Sequence, residues 1–387
     1  MLGLLLSVIY LAFISLGLPD SLLGSAWPTI HIDLNVSLSS MGIITMIISG
    51  CTIISSLFSD KLNRKLGTWT ITVVSIVLTA LALLGFSFAD NFVLLCLLAI
   101  PYGLGAGSID AALNNFVALH FSSKHMSWLH CFWGIGTIIS PYIMSFCLNQ
   151  NHSWHQGYLI VSLIQIAIAI IVGVSLPLWK KTKTIEQEEV IPSKLSFKEK
   201  ISIKGVVFVL ISFFCYCAIE STAMNWASTY FYEGCRMDEV LASALGSLFF
   251  IGMTIGRLLS GFITNRLGDN KMIRLGSFVI FIAIILLFIP WTNNAFLIGA
   301  FIILGIGCGP IYPAIIHSTP TNFKKENSQG IIGLEMACAY LGTTFMPPLF
   351  GLIANHISVK LFPVFISIFF VLFILFFNLL LKKLKDN

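Results

Sequence analysis

Charge is what this sequence has least of. Asp, Glu, Lys and Arg together make up 10% of its 387 residues, where an ordinary soluble domain carries ~25%. So little charge cannot cover a water-soluble particle of this size, and a string of two or three soluble domains is excluded. Paired carboxylates are also missing from the loops expected on the outer side. The polar residues there are scattered, as at Asp33, Asp90 and His155, which argues against a membrane-embedded acyl or glycosyl transferase. No phosphate-binding loop is present either: Gly103-Leu-Gly105-Ala-Gly107 lies inside an apolar run and follows no strand. No basic run interleaves with aromatics, so no nucleic acid is expected as a partner. Nine cysteines are present, an odd number mostly inside apolar runs, which implies no disulfide framework. Cys215 and Cys217 stand about 200° apart around a helix and cannot hold one metal as neighbours. His120, His125 and His130 step by five residues and likewise form no metal face. Neither a metal nor a cofactor is expected.

Apolar length is what the sequence has in excess. Hydrophobic residues make up 57% of it, with 32 Phe. At ~20 residues per spanning helix, twelve spans account for the chain. Apolar runs fall at 2–27, 38–58, 68–88, 92–118, 129–149 and 157–179, then at 205–231, 240–264, 271–291, 295–317, 328–354 and 358–381. The first run has no basic flank, and Pro19-Asp20 interrupts it, so it reads as a span and not a cleaved leader. Between the two sets, Lys180 to Lys204 holds seven Lys and four Glu. That composition predicts a solvated linker containing a short amphipathic helix. The expectation is an all-α integral membrane protein with twelve transmembrane helices in two six-helix, pseudo-symmetric halves, 1–179 and 205–387, joined by a cytoplasmic linker at 180–204.

Basic residues set the orientation. With both termini in the cytoplasm of a cell-membrane protein, nineteen of the 22 Lys and Arg fall inside. Arg236 and Lys360 fall outside, and Arg257 lies within a span. An error of one helix would scramble this positive-inside bias.

The halves repeat. Gly103-Leu-Gly105-Ala-Gly107 recurs as Gly305-Ile-Gly307-Cys-Gly309, and Gly136-Thr137 with Pro141 recurs as Gly342-Thr343 with Pro347. One small-residue ladder could be generic helix packing. Two at nearly equal offset, on equivalent helices, point to a duplicated six-helix unit, the plan of an alternating-access transporter.

On these residues the chain resembles the major facilitator superfamily. That family carries Gly-x-x-x-Asp-Arg-x-Gly-Arg-Arg after its second helix. Here the stretch reads Ser56-Leu-Phe-Ser-Asp60-Lys61-Leu-Asn63-Arg64-Lys65, and the second half offers Gly261-Phe-Ile-Thr-Asn265-Arg266-Leu-Gly268. The resemblance implies gating roles for Asp60, Arg64 and Arg266. A narrower likeness is to the fucose–proton symporter and related sugar permeases. It rests on Asp20 in the first run, Ile109-Asp110-Ala-Ala-Leu-Asn114 in the fourth and Leu129-His130-Cys-Phe-Trp133-Gly134-Ile-Gly136 in the fifth, with Glu220 and Trp226 in the seventh. Asp110 stands where that family has Glu, and Pro19 replaces a polar residue. The likeness implies proton coupling through Asp20 and Asp110; the sugar does not carry over.

The buried charges lead to the same place. Asp20, Asp110, Glu220, Arg257 and Glu335 each lie within an expected span, where a charge costs ~2.5–3.5 kcal/mol at the bilayer centre. Five of them require pairing or a wet path. Burial disfavours the charged form, so a carboxyl that is alternately wet and dry is a natural proton carrier. Asn114, Gln165, Glu220, Asn225, Trp226 and Trp133 form a polar and aromatic set suited to hydroxyls and a sugar ring face. Arg257, Glu335 and His130 read as gating or packing residues near membrane boundaries. The expected function is secondary active transport, by proton symport, of a small polar solute such as a monosaccharide, by a monomer in the lipid bilayer. The rival is a proton-driven drug or metabolite efflux antiporter. Those carry Gly-Pro-x-x-Gly-Gly in the fifth helix, where this chain has Ser140-Pro141-Tyr-Ile-Met-Ser145.

The topology has a direct test. A cysteine placed at Lys194 should react with impermeant maleimide only from the cytoplasmic side, and native Cys235 mainly from outside. Labelling of position 194 from outside would overturn the orientation.

Overall fold

The computed structural model describes residues 2–149, 153–185, 193–237, 242, 245, 248–289 and 294–385. Every regular element among them is helical, and twelve helical runs are long and apolar enough to cross a membrane. The first six spans are Leu2–Asp33, Leu38–Leu66, Thr68–Phe86, Phe92–His120, Ser123–Asn149 and Trp154–Val174. The second six are Val206–Gly234, Leu248–Leu267, Asp269–Phe288, Ala295–Phe323, Lys325–His356 and Val359–Lys385. The all-α, twelve-span fold read from the apolar runs is the fold observed.

Contacts divide the chain into two compact units. One holds Met1–Phe116 and Leu129–Pro192, the other Val117–Trp128 and Ser193–Asn387. The turn joining the fourth and fifth spans, which the apolar pattern assigns to the first half, thus groups with the second unit. In the first unit the third span packs along the sixth, which also meets the first. In the second, the seventh span packs along the eleventh and twelfth, while the eighth and ninth both lie on the tenth.

The repeated glycines make these contacts possible. A Cβ on Gly103 would lie 2.3 Å from the Ile48 carbonyl oxygen of the second span, and one on Gly305 would lie 2.1 Å from that of Phe249 in the eighth. No side chain can occupy that space, so backbone meets backbone.

Two spans are broken. The first consists of helices Leu2–Gly17 and Leu22–Asp33 with a turn between them at Pro19-Asp20. Proline has no N–H to continue the ladder, which ends the first helix there. The tenth consists of Asn294–Cys308 and Ile311–Phe323, parted at Gly309-Pro310 for the same reason. Irregular backbone at membrane depth must be buried in protein or line a wet cavity.

Part of the linker is described. Ser196 and Glu199 form a reciprocal capping box that starts the short helix Phe197–Ser202, as the charge pattern anticipated. Bonds from the Ser196 hydroxyl and N–H hold the Glu199 carboxyl below the usual carboxylate range. Linker residues 186–192, and most of 240–247 in the expected eighth run, lie outside the described residues. No disulfide joins any of the nine cysteines among the described residues.

The glycine contacts predict opposite outcomes for one substitution. Gly305→Ala should destabilise the purified protein by ~1–3 kcal/mol through overpacking. Gly299, with nothing within 4 Å of an added Cβ, should accept Ala with no loss. Thermal melts of both variants in one detergent check this, and equal melting temperatures would show that the ladder is not tight.

Candidate functional site

In the first unit the break in the first span presents Asp20. Pro19 ends one helix and Ser21 precedes the next, so the carboxylate stands near the middle of the span yet is exposed. The Tyr102 hydroxyl of the fourth span donates to its Oδ1 at 3.0 Å, and Trp133 Nε1 of the fifth span donates to Oδ2 at 2.8 Å. Two donors from two helices fix the carboxylate without neutralising it. Ser21 anchors the same turn by donating to the Thr137 carbonyl at 2.5 Å.

Asp110 lies about two turns further along the fourth helix than Tyr102 and is buried. Asn114 Nδ2 donates to its Oδ1 at 2.7 Å, and His130 Nε2 lies 3.1 Å from Asn114 Oδ1. Because the Asn oxygen accepts, the His nitrogen must donate. The donors therefore run in one direction, from His130 through Asn114 to Asp110. His130 also meets Phe13 edge-on. Gln165 is fully buried and donates to the Ser15 carbonyl at 2.6 Å, and its Oε1 has no partner among the described residues. A buried unpaired acceptor costs ~1–3 kcal/mol, so it marks a place where a further donor would be welcome.

The second unit builds a different centre. Arg257 lies on the eighth helix, whose described run ends at Leu267. Its Nη2 donates to Glu220 Oε1 at 3.1 Å, and both residues are buried. Tyr216, one turn before Glu220, donates to Glu220 Oε2 and also lies 2.8 Å from the Cys308 carbonyl. That carbonyl ends the first piece of the tenth span, where the Gly309-Pro310 break takes away a helical N–H donor. A single hydroxyl hydrogen cannot serve both acceptors fully.

Asn225 is exposed within the seventh span and donates to the Ser221 carbonyl at 2.7 Å. Trp226 Nε1 donates to the Pro347 carbonyl at 2.9 Å while its ring packs edge-on to Phe350, which ties the seventh span to the eleventh. Glu335 is 0% exposed, and the Thr319 hydroxyl donates to its two oxygens at 2.8 and 2.9 Å. It has no cationic partner among the described residues. No cluster of three metal-ligating side chains occurs among them either.

The sequence matches the Major Facilitator Superfamily over residues 9–290 and 209–386. The chain belongs to that superfamily. As a member it is a secondary transporter and a multi-pass membrane protein. It is 24% identical to Bypass of stop codon protein 6 of Saccharomyces cerevisiae, over 97% of this chain and 82% of that protein. It is 21% identical to the glucose/mannose transporter GlcP of Bacillus subtilis, over 91% and 88%. The structure of the Escherichia coli fucose:proton symporter FucP superposes with a TM-score of 0.75 at 17% identity, over 97% of each chain.

The stretch that carries the superfamily motif is not a loop but the last turns of the second span's helix, Met41–Leu66, and it keeps its charge pair. Arg64 donates to Asp60 at 2.9 Å, one turn apart, with Asp60 buried. At the equivalent end of the eighth helix, Leu248–Leu267, Arg266 is exposed, and Asn265 accepts the Lys124 N–H at 3.3 Å. Sequence reasoning joined neither Tyr102 to Asp20 nor Tyr216 to Glu220. The signal was present in both cases: each is a tyrosine on a span that also carries or faces a carboxylate, and a buried phenol seeks an acceptor.

The Glu220–Arg257 pair makes a sharp prediction. Arg257→Met leaves a buried carboxylate uncompensated and should lower stability by ~3–5 kcal/mol, whereas Arg257→Met with Glu220→Leu should recover most of that. Equal melting temperatures for the single and double variants would show that the two charges are not coupled.

Proposed function

We propose that the chain is a proton symporter of a small hydroxylated solute, a monosaccharide in the first instance, working by alternating access as a monomer. The observation that carries this reading is the exposed Asp20 in the broken first span. A carboxylate exposed at mid-span requires water on that face. The Trp133 indole that holds it also offers an apolar ring, the combination that suits a sugar. Asn225 and Gln165 have acceptors to spare for hydroxyls. The names of its relatives, a glucose/mannose transporter and a fucose:proton symporter, support the substrate class.

Proton coupling is assigned to Asp20 and Asp110. Asp20 meets water and ligand, while Asp110 lies in the glycine-rich fourth span, where closely packed helices must move. Burial penalises its charge, so the neutral form lets the helices close and the charged form resists. Asp60, Arg64, Arg266, Arg257, Glu335 and His130 serve gating or support. Both termini are assigned to the cytoplasm and the protein to the cell membrane, from the bias of basic residues.

Proteoliposomes with an imposed pH gradient test the whole reading. The wild type should accumulate a monosaccharide when the outside is acidified. Asp110→Asn, which imitates the neutral acid, should abolish accumulation and keep counterflow. Asp20→Asn should lose accumulation and weaken binding as well. Extrusion of a lipophilic cation by the wild type would replace this reading with the efflux antiporter, and accumulation by Asp110→Asn would remove that residue from coupling.

A further inference from the structure

His317, near the end of the tenth span, has an acceptor at each ring nitrogen. Its Nδ1 lies 2.7 Å from Oδ2 of Asp269, the first residue of the ninth span, and its Nε2 lies 3.1 Å from the carbonyl oxygen of Phe121. Phe121 belongs to the segment Val117–Trp128, the turn between the fourth and fifth spans that groups with the second unit. A neutral imidazole carries one N–H and can donate to only one of two acceptors. Satisfying both takes an imidazolium beside a carboxylate, or a carboxylic acid donating to Nδ1 while Nε2–H donates to Phe121. Both arrangements hold the same number of protons, one more than an ionised Asp with a neutral His.

The segment supplies the rest of the site. The Ser123 hydroxyl donates to Asp269 Oδ1 and pairs with Thr264 at 2.8 Å. The fourth helix ends at His120 and the fifth begins at Ser123. The imidazole therefore faces the negative end of one helix and the carboxylate the positive end of the next, and each sign matches. Trp128 lies against Gly261, where an added Cβ would come 2.2 Å from Nε1. That indole N–H is buried without a partner among the described residues, which works against permanent docking. Asp269 is the charged group in hydrogen-bond contact with His317. Elsewhere on the packed elements, Lys124 lies 4.2 Å over the Trp128 ring, His125 packs on Phe121 and Trp128, Arg266 is exposed, Glu335 is taken up by Thr319, and Glu220 pairs with Arg257. His120 stands one residue before Phe121.

We propose that His317 and Asp269 form a proton-binding site that fills when Val117–Trp128 docks and empties when it leaves. On release, Phe121 and Ser123 withdraw. One N–H then suffices for the ion's remaining partner, and the extra proton is free to go. The segment continues at both ends into the first unit, so any cycle that detaches it takes up and releases one proton here. This site is separate from Asp20 and Asp110, and its test needs no substrate.

Full-length protein with 15N-labelled histidine, in nanodiscs, gives both readouts from roughly pH 5.5 to 8.5, the range in which imidazoles titrate. Nitrogen shifts report protonation of His317, identified by the signal missing from His317→Gln. Amide hydrogen exchange of residues 118–127, corrected for intrinsic rates, reports docking. Protection should fall as pH rises, by at most about tenfold per pH unit for one linked proton, at the midpoint where the His317 nitrogens lose theirs. His317→Gln and Asp269→Asn should flatten that dependence. Loss of the His317 proton with protection unchanged in the wild type would overturn the proposal, as would an undiminished slope in His317→Gln. The wild-type comparison decides even if the variants fold poorly.

Discussion

The fold depends on backbone touching backbone along the fourth and tenth spans. In each, three glycines two residues apart look to two different neighbours. Gly103 and Gly107 face the second span and Gly105 the third, just as Gly305 and Gly309 face the eighth and Gly307 the ninth. In lipid, no hydrophobic gain drives helices together, since the tails are as apolar as the side chains. Close approach and interhelical hydrogen bonds must supply the attraction. Thr52 and Ser56 donate to the carbonyls of Gly103 and Gly107 at 3.2 and 3.3 Å, which adds the second ingredient where the first is met.

That rigid scaffold makes the intramembrane charges tolerable, and the two units solve the problem differently. The first unit keeps Asp20 exposed and fixes it with two neutral donors, so its charge can change without leaving a stranded cation. The second commits Glu220 to Arg257, where loss of either charge would strand the other. Glu335, fully buried with a threonine hydroxyl as its partner, has no cationic partner among the described residues. Duplicated halves thus share a skeleton and differ in chemistry.

Much of the fold was legible because membranes impose a simple code. Apolar runs of about span length, the basic residues between them and the glycine repeat are one-dimensional signals. The sites were legible as residues but not as partnerships. Asp20 and Asp110 were visible as charges in apolar runs, yet nothing in sequence joins Asp20 to Tyr102, 82 positions away. Trp226 read as a ring for stacking on a sugar, whereas its N–H is spent on the Pro347 carbonyl. His317 escaped attention altogether, since a histidine near the end of an apolar run looks like an ordinary boundary residue. Only the approach of Phe121, 196 positions away, supplies its second acceptor.

Proline placement connects these observations. Pro19 and Pro310 each break a span in the middle, and each break puts a polar backbone group beside an ionisable side chain. At Pro19 the turn carries Asp20 itself. At Pro310 the freed Cys308 carbonyl receives Tyr216, which also holds Glu220. A continuous helix would have satisfied those backbone groups internally and left the acids no local reason to sit where they do. The breaks therefore do two things at once: they open the hydrogen-bond ladder and they place titratable groups where the ladder is open. In a fold otherwise locked by glycine contacts, these are the places at which a change of protonation can be felt by the backbone.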